Sequence, residues 1–565
     1  MSWLTPEYRA VSERYAPRFI VLSGVCMLMV LMAWLGIGLR AWERAQHPNA
    51  LANSAEAYLR SAQYQLVNWQ PCTVQAIRQA QTRDRLIMIE VGAYWSGRCQ
   101  RLGYEAFSDS GVADLVNREF VAIKLDADAA PKRARYIRQL AQLHGAPDRY
   151  PIVAWFTPDG KPVRAVAPDT RAELMRHLEE LSQLYRNRPE QIQQFAEPLE
   201  RAWNDRWARS ARPATLDADA IAAEFLKALA TSDSAPPPNA PRFNLNHLET
   251  LLALAEAGSV SARERLLAQL AALTQSLYWD SAQQGVGSLV DGLDAEGKPT
   301  GGKRLIEQAR LLSLYSRASR WEPELASFAH ELAEGLRRNF YRERPAGFIG
   351  ALPPPKLRIA IAQSLGMPRA DSAFYVDGNA YAIIALADYV QALGAQHPRG
   401  QWALETAPRV LETLRALRTP RGDLFHSSLR QTSDWMTDLA LVARAAVRVH
   451  QLQPNPRALQ FARQLLQHIW REYADPTGGF YDIARSKAWD TLKVVPVRMS
   501  QDETLPADNA LLGMAMDEYA RASGERLWRA RAEQLAQVIA GDYNPTETLQ
   551  YGGCLQLLTR LAERP

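Results

Sequence analysis

Apolar and polar positions follow three successive regimes along this chain. The first is an uninterrupted apolar run, Phe19 to Leu39 (FIVLSGVCMLMVLMAWLGIGL), 21 residues without a charge. As a helix it would span roughly 30 Å, the thickness of a bilayer core. It runs straight into Arg40, Ala41, Trp42, Glu43 and Arg44 with no small-residue cleavage site, so the pattern predicts an uncleaved transmembrane helix over 19–39. The second regime alternates short apolar runs with amphipathic stretches. TVQAIRQAQTR has helical spacing and follows Pro71 and Cys72; then come a strand LIMIEVGA, a helix from about Arg98, a strand FVAIKLDAD, a helix around RARYIRQLAQLHG, and a strand IVAWFTPDG ending in an Asp-Gly turn. Strands alternating with helices predict parallel pairing. The block closes near residue 186 with RAELMRHLEELSQLY. From about residue 213 the third regime is helix after helix, twelve stretches between 215 and 561 that group into six hairpins.

The connections after alternate helices of that last regime repeat: YWDSAQQGVG at 278, FYRERPAGFIG at 340, LRTPRGDLFHS at 417 and YADPTGGFYD at 473. Each is a Gly-containing turn after an aromatic or apolar helix end, and three of them present a phenylalanine, Phe348, Phe425 and Phe480. Such recurrence marks a modular helical array with its loops gathered at one end. The Pro-rich SAPPPNAP at 234–241 reads as a spacer.

Composition narrows the partners. A chain of 565 residues implies several domains. The 66 basic and 61 acidic residues are interspersed, and no basic run with interleaved aromatics tracks a phosphate backbone, which excludes nucleic acid. Arg9, Arg14 and Arg18 precede the apolar run and only Arg40 and Arg44 follow it. That bias predicts a cytoplasmic N-terminus, a single pass through an inner membrane, and a periplasmic bulk, with the lipid bilayer as partner through residues 19–39. Cys26, Cys72, Cys99 and Cys554 are too few for a disulfide framework. No zinc, P-loop, dinucleotide or Gly-x-Ser-x-Gly signature occurs, and His247, His426 and His450 lack metal-ligand spacing, so neither a cofactor nor a metal site is expected.

The stretch GAYWSGRCQ at 92–100 carries the most specific chemistry. Trp95, Ser96, Gly97, Arg98 and Cys99 form a Cys-x-x-Cys pattern at a helix start whose first sulfur is a serine. Thiol exchange needs a thiolate to attack, and a serine hydroxyl without an adjacent base does not replace it. Two-cysteine turnover is therefore not expected of this motif. Cys72 stands at the start of the preceding helix; it either bridges to Cys99, which needs Cα atoms within about 7 Å, or remains a separate thiol.

These residues resemble a known family. NWQPC at 68, DRLIMIEVGAYWSGRC at 84, EAFSDSGVADLVNREFVAIKLDAD at 105 and RYPIVAWFTPDGKPV at 149 are similar to the thioredoxin-like domain of the spermatogenesis-associated, thioredoxin-domain protein family. The helical part resembles the family's six-hairpin (α/α)6 toroid through GKRLIEQARLLSLYSRA at 302, DGNAYAIIALADYVQALG at 377, DWMTDLALVARAAVRV at 434, DPTGGFYD at 475 and TLPADNALLGMAMDEYARASG at 504. The implied architecture is a tail (1–18), a transmembrane helix (19–39), a linker (40–62), an α/β thioredoxin-like domain (63–186), a connector (187–212) and an all-α toroid (213–563). The resemblance further implies that Pro151, after Tyr150, is the cis-proline facing the redox motif, able to hold an extended peptide backbone or to serve as a rigid turn. Toroids similar to this one, in sugar epimerases and several glycosidases, work with carboxylates or histidines lining the cavity. Candidates here are Glu307, Asp377, Asp434, Asp438, Asp502 and Asp508, with Asn379 and Asn509 as polar partners; Asp438 and Asn509 match the family's pattern, whereas Thr300, Gly301, Gly302 and Lys303, followed by Glu307 and Gln308, stand where many members carry a histidine and an acid. Asp434, Asp502 and Asp508 stand near helix starts, where a carboxylate also serves as a cap.

Two functions follow as expectations. The first is a membrane-anchored accessory protein that binds a peptide, a protein partner or a glycan without two-cysteine redox turnover. The second is catalytic: a carbohydrate-active toroid with acid/base chemistry, or a single-thiol redox protein using Cys99. Two acids facing each other in a deep cavity favour carbohydrate chemistry, whereas a cavity filled by side chains such as Trp435 and Phe425 favours a scaffold.

Overall fold

The computed structural model of the chain describes residues 48–207, 212–234, 243–282, 284–286, 301–354, 370–433, 435–484 and 496–563. The predicted transmembrane helix at 19–39 lies outside the described residues. The expected fold class is corrected accordingly to an α/β unit followed by an all-α unit, since among the described residues no helix is long and apolar enough to cross a membrane. The long buried helices of the second unit carry charges such as Asp388, Arg444 and Glu518 on the faces that line a central axis, so none offers a continuous apolar surface.

In the N-terminal unit a short helix α1 (Ala57–Ser61) precedes β1 (Gln70–Pro71), α2 (Val74–Arg83), β2 (Leu86–Gly92), α3 (Gly97–Glu105), α4 (Ser110–Glu119) and β3 (Phe120–Asp126). It continues with α5 (Pro131–Leu143), β4 (Ile152–Phe156), β5 (Pro162–Val166), α6 (Arg171–Asn187) and α7 (Pro189–Trp207). The strands lie in the order β1-β3-β2-β4-β5. The first three are parallel, but β4 is antiparallel to β2 and β5 to β4, which corrects the all-parallel expectation. The Asp159–Gly160 turn, with Gly160 at φ +87°, folds β5 back on β4 as a hairpin. Strand direction leaves no trace in the apolar run of β4, because both faces of the sheet are covered. Along β2, Leu86 and Met88 pack with Leu102 of α3, Val116 of α4 and Leu174 of α6, while Ile87, Ile89 and Val91 pack with Ile77 of α2 and Ile137 of α5. Residues expected as a connector after 187 begin with α7, which packs on α5 and β5.

The second unit comprises α8 (Ala218–Ser234), α9 (Leu245–Glu256), α10 (Val260–Thr274), α11 (Leu305–Ala318), α12 (Leu325–Gly335), β6 (Tyr341–Glu343) and β7 (Ala346–Phe348). Then follow α13 (Val376–Leu393), α14 (Pro398–Arg415), α15 (Met436–Leu452), α16 (Pro456–Glu472), α17 (Asp508–Ser523), α18 (Arg526–Gly541) and α19 (Gly552–Ala562). Helices α9, α11, α13, α15, α17 and α19 pack each on the next, and α19 returns to α9, closing a ring. Around it α10, α12, α14, α16, α18 and α8 each pack mainly on one inner helix. This is the (α/α)6 toroid. The outer helices are amphipathic, whereas the inner ones are buried nearly all round, as along α13 from Gly378 to Tyr389.

The recurring loops have a physical basis. At the start of three inner helices a side-chain amide brackets one residue of the preceding loop, accepting from its N–H and donating to its C=O. Gln308 does this to Val286 (2.9 and 2.6 Å), Asn379 to Phe348 (2.8 and 2.9 Å) and Asn509 to Phe480 (2.9 Å for both). The loops are thereby drawn to the N-terminal ends of the inner helices, where the sheet of the first unit docks by the carboxyl ends of β2 and β3.

Candidate functional site

The redox-motif remnant is a docking surface. Ser96 caps α3, its Oγ accepting from the Cys99 N–H at 3.1 Å, and is fully buried. Cys99 is 2% exposed. Its thiol lies against the Tyr58 hydroxyl, which in turn donates to Glu90, itself paired with Lys124 at 2.6 Å. Cys72 is half-buried, and Cys72, Cys99 and Cys554 form no disulfide. Trp95, 2% exposed, offers its carbonyl to the Gly302 N–H of the toroid at 2.7 Å. Residue 302 has to be glycine, since a Cβ there would run into the Leu352 carbonyl. The Tyr150–Pro151 peptide is cis, and the Tyr150 ring meets Trp95 edge-on at 6.4 Å. Arg98 pairs with Asp169 within its own domain, and Gly97 opens α3.

Around Trp95 the two domains exchange charged groups at the toroid mouth. The Trp95 Nε1 donates to Asp128 Oδ2 at 2.7 Å, and the Arg304 guanidinium stacks 4.5 Å above the Trp95 ring while lying 3.5 Å from Asp128. Arg304 also reaches Glu307 at 3.5 Å, in the first turn of α11. His426 bridges the domains: its Nε2 donates to the Asp128 carbonyl and its Nδ1 faces Asp438 Oδ2, both at 2.8 Å. Asp377, in the first turn of α13, completes the group and is the partly exposed member. A second link lies on the other side of the mouth, where Arg135 of α5 stacks 4.4 Å over Trp435 and reaches Asp508, Glu503 and Asp482.

First turns of helices gather these acids because free N–H groups and the helix dipole favour negative charge there. Burial opposes ionisation. It pushes Glu307 up to about 7 against the pull of Arg304, and Asp371 up to about 7 with help from Asp128. Burial lowers His426, but the Asp438 carboxylate outweighs it and holds the imidazole up at about 9. Four buried polar atoms of the described residues in this region have no hydrogen-bond partner: Asp126 Oδ2, Glu307 Oε2, Asp438 Oδ1 and Tyr381 Oη. Below them, ion pairs close the axis. Arg310 binds Glu249, Arg444 binds Glu518 and Arg448 binds Asp388, around a cavity of about 150 Å³.

The sequence-derived candidates divide sharply. Glu307, Asp377 and Asp438 converge at the mouth. Asn379 and Asn509 are the loop brackets and face no chamber. Asp502 stands apart, its oxygens accepting the Ala507 and Gly553 N–H groups at 2.8 Å, which fastens its loop to the start of α19. Asp434 lies outside the described residues. Trp435 is buried under Arg135, and Phe425 lies beneath Arg430, 5.8 Å from its guanidinium. Sequence reasoning passed over Asp128, Arg135, Arg304 and the role of His426. Asp128 could have been found from its place just past β3, at the sheet edge where α/β proteins bind ligands. The larger groove of about 860 Å³, lined by Trp207, Arg498, Asp542 and Tyr543, lies away from the mouth, and its Arg498 is already paired with Asp475 and Asp542.

Comparison with known proteins gives the following similarities. Residues 48–204, nearly the whole N-terminal unit, match the family model Thioredox_DsbH, described as "Protein of unknown function, DUF255". Spermatogenesis-associated protein 20 of Homo sapiens is 25% identical over 115 residues, 20% of this chain and 15% of the human protein. The chain thus spans only a small part of that relative's length. Among solved structures, a D-mannose isomerase is similar at 12% identity with a TM-score of 0.44, covering 62% of this chain and 99% of its own. A family 76 alpha-mannanase of Bacteroides thetaiotaomicron is similar at 10% identity with a TM-score of 0.44, covering 61% and 96%.

Proposed function

We propose that this chain is a non-redox binding protein whose thioredoxin-like domain is a fixed cover over the toroid mouth, and that the covered mouth takes a small polyhydroxylated ligand of the carbohydrate class. The observation that carries the reading is the buried Glu307 Oε2, without a partner among the described residues and beside the ion-paired Arg304, with a second such oxygen, Tyr381 Oη, at the cavity below. Buried acceptors are stabilised when a donor meets them, and a polyol brings several hydroxyl donors at fixed spacing.

Thiol exchange fits this arrangement poorly. The attacking position is a buried serine serving as a helix cap, and Cys99 lies beneath Tyr58. The toroid's own Gly302 segment already pairs with the Trp95 carbonyl at this edge, which favours a small ligand over an extended one.

The test is calorimetric titration of the intact chain with a panel of neutral mono- and disaccharides. Saturable binding that weakens at least tenfold in Glu307→Gln supports the reading. Binding of no saccharide, or binding indifferent to Glu307→Gln, overturns it.

A further inference from the structure

We propose that Asp377, His426 and Asp438 form a binding site for one divalent first-row transition cation at the toroid mouth. One ligand atom from each residue, a ring nitrogen and two carboxylate oxygens, lies within 4.8 Å of both others. Ligands at about 2.1 Å from a common ion stand roughly 3–4.2 Å apart, so small side-chain rotations close the set around a cation. Sequence spacing hides the trio: His426 comes from a loop, and the two aspartates come from the first turns of different helices.

Three independent features fit an ion rather than a chance cluster. Metal-binding histidines almost always donate their second N–H to a carbonyl or carboxylate, which fixes the ring. Here the His426 Nε2 donates to the Asp128 carbonyl at 2.8 Å, leaving Nδ1 as the ligand atom turned toward Asp438. Asp438 is 1% exposed, yet its Oδ1 has no hydrogen-bond partner among the described residues. Such an atom is costly unless something positive meets it. Asp377, partly exposed, gives an ion a way in, and its Oδ1 accepts the N–H of its neighbour Gly378. Once an entering ion displaces the proton from His426 Nδ1, two carboxylates and a neutral imidazole carry a charge of about −2, which a divalent ion neutralises. One nitrogen with two oxygens suits Zn²⁺ or Mn²⁺ better than Ca²⁺ or Mg²⁺, which prefer all-oxygen sites.

Three protein ligands leave a coordination position open, so the cation would also offer a contact to a hydroxylated ligand at the same mouth. To that extent the inference deepens the carbohydrate reading, but it is testable without any saccharide. The intact chain, stripped with a chelator, is titrated with Zn²⁺, Mn²⁺, Mg²⁺ and Ca²⁺ by calorimetry, and with Mn²⁺ by loss of the free-ion paramagnetic resonance signal. One Zn²⁺ or Mn²⁺ per chain is expected, bound at least tenfold more tightly than Mg²⁺ or Ca²⁺. Asp377→Asn should weaken it at least tenfold while keeping the helical circular dichroism, and Glu180→Gln, at an exposed ion pair with Arg164 away from the mouth, should leave it unchanged. Asp438→Asn serves as a second variant; because Asp377 is partly exposed, its variant remains informative if the Asp438 variant fails to fold. Absence of stoichiometric binding, or binding indifferent to Asp377→Asn, overturns the site. Cation binding without saccharide binding would sink only the carbohydrate reading, and the reverse would sink only this one.

Discussion

Arg135 and Asp508, 373 residues apart in the chain, join the two domains through a forked ion pair in which the guanidinium donates to both carboxylate oxygens, at 2.6 and 3.0 Å. Asp508 is fully buried and also accepts from Thr437 Oγ1 at 2.6 Å. The Arg135 Nε reaches Glu503 at 2.9 Å, and Arg138 pairs with the same glutamate. The contact depends on both members, because one buried charge left without its partner is far costlier than the pair itself is stabilising.

Replacing Arg135 by alanine should therefore destabilise the protein by about 3–5 kcal/mol. Arg135→Lys keeps the charge but loses the planar fork, and should fall between wild type and alanine. Urea unfolding followed by far-ultraviolet circular dichroism measures both. A loss below about 1 kcal/mol in the alanine variant, the range of exposed ion pairs, would mean that the interface does not hold the domains as described.

Restoring the missing sulfur should not restore redox chemistry. In Ser96→Cys the new thiol occupies a fully buried position under the Gly302 segment, and Cys99 stays beneath Tyr58. We expect negligible reaction with a thiol-specific chromophore in the folded protein and no insulin reduction. The change should also cost about 1 kcal/mol, because the serine caps α3. Rapid, stoichiometric labelling of residue 96 under native conditions would show that the edge opens in solution.

Asn379 and Asn509 separate structure from chemistry. Each makes three buried hydrogen bonds: Asn379 with both backbone groups of Phe348 and with the Tyr375 carbonyl, Asn509 with both backbone groups of Phe480 and with the Met499 carbonyl. Alanine at either position orphans a buried N–H and carbonyls, each costing about 1–3 kcal/mol. Both variants should melt several degrees lower. Where they still fold, ligand and cation affinities at the mouth should stay within about twofold; a selective loss of binding without loss of stability would contradict the bracket role.

Those asparagines also show where sequence reasoning reached its limit. The apolar runs around LIMIEVGA and FVAIKLDAD and the recurring turn-rich loops were enough to outline an α/β unit followed by paired helices, because burial on regular faces imposes a readable period. An amide at a helix start looks the same on paper whether it meets a substrate or the preceding loop, so Asn379 and Asn509 read as pocket residues. His426 failed in the opposite direction: its neighbours in space, Asp128 and Asp438, come from another domain and another hairpin. Arg135, on a helix of the first domain, gives no sign in its own segment that a second domain would bury it.

Stability should be greatest on the acid side of neutrality. Removal from water pushes Glu307 and Asp502 each up to about 7, against ordinary values of 4.5 and 3.8. Between those values the folded chain holds protons that the unfolded chain has released, so unfolding releases protons and stability falls as pH rises from about 4 to about 7. Glu334 works the other way. Hydrogen bonds from Arg337, and then from Arg338 and Arg399, hold it down at about 2, so its contribution is present above about 4.5 and is lost as pH falls toward 2. The two slopes place the optimum between about pH 4 and 5, and His426, held up at about 9, carries the decline past pH 7. Urea midpoints measured at pH 5, 6, 7 and 8 should decline steadily, and Asp502→Asn, which carries no charge at any of these values, should flatten part of that decline. A midpoint that climbs from pH 5 to 8 would mean that these carboxylates ionise freely in the folded protein, and that the mouth is wetter than its burial implies.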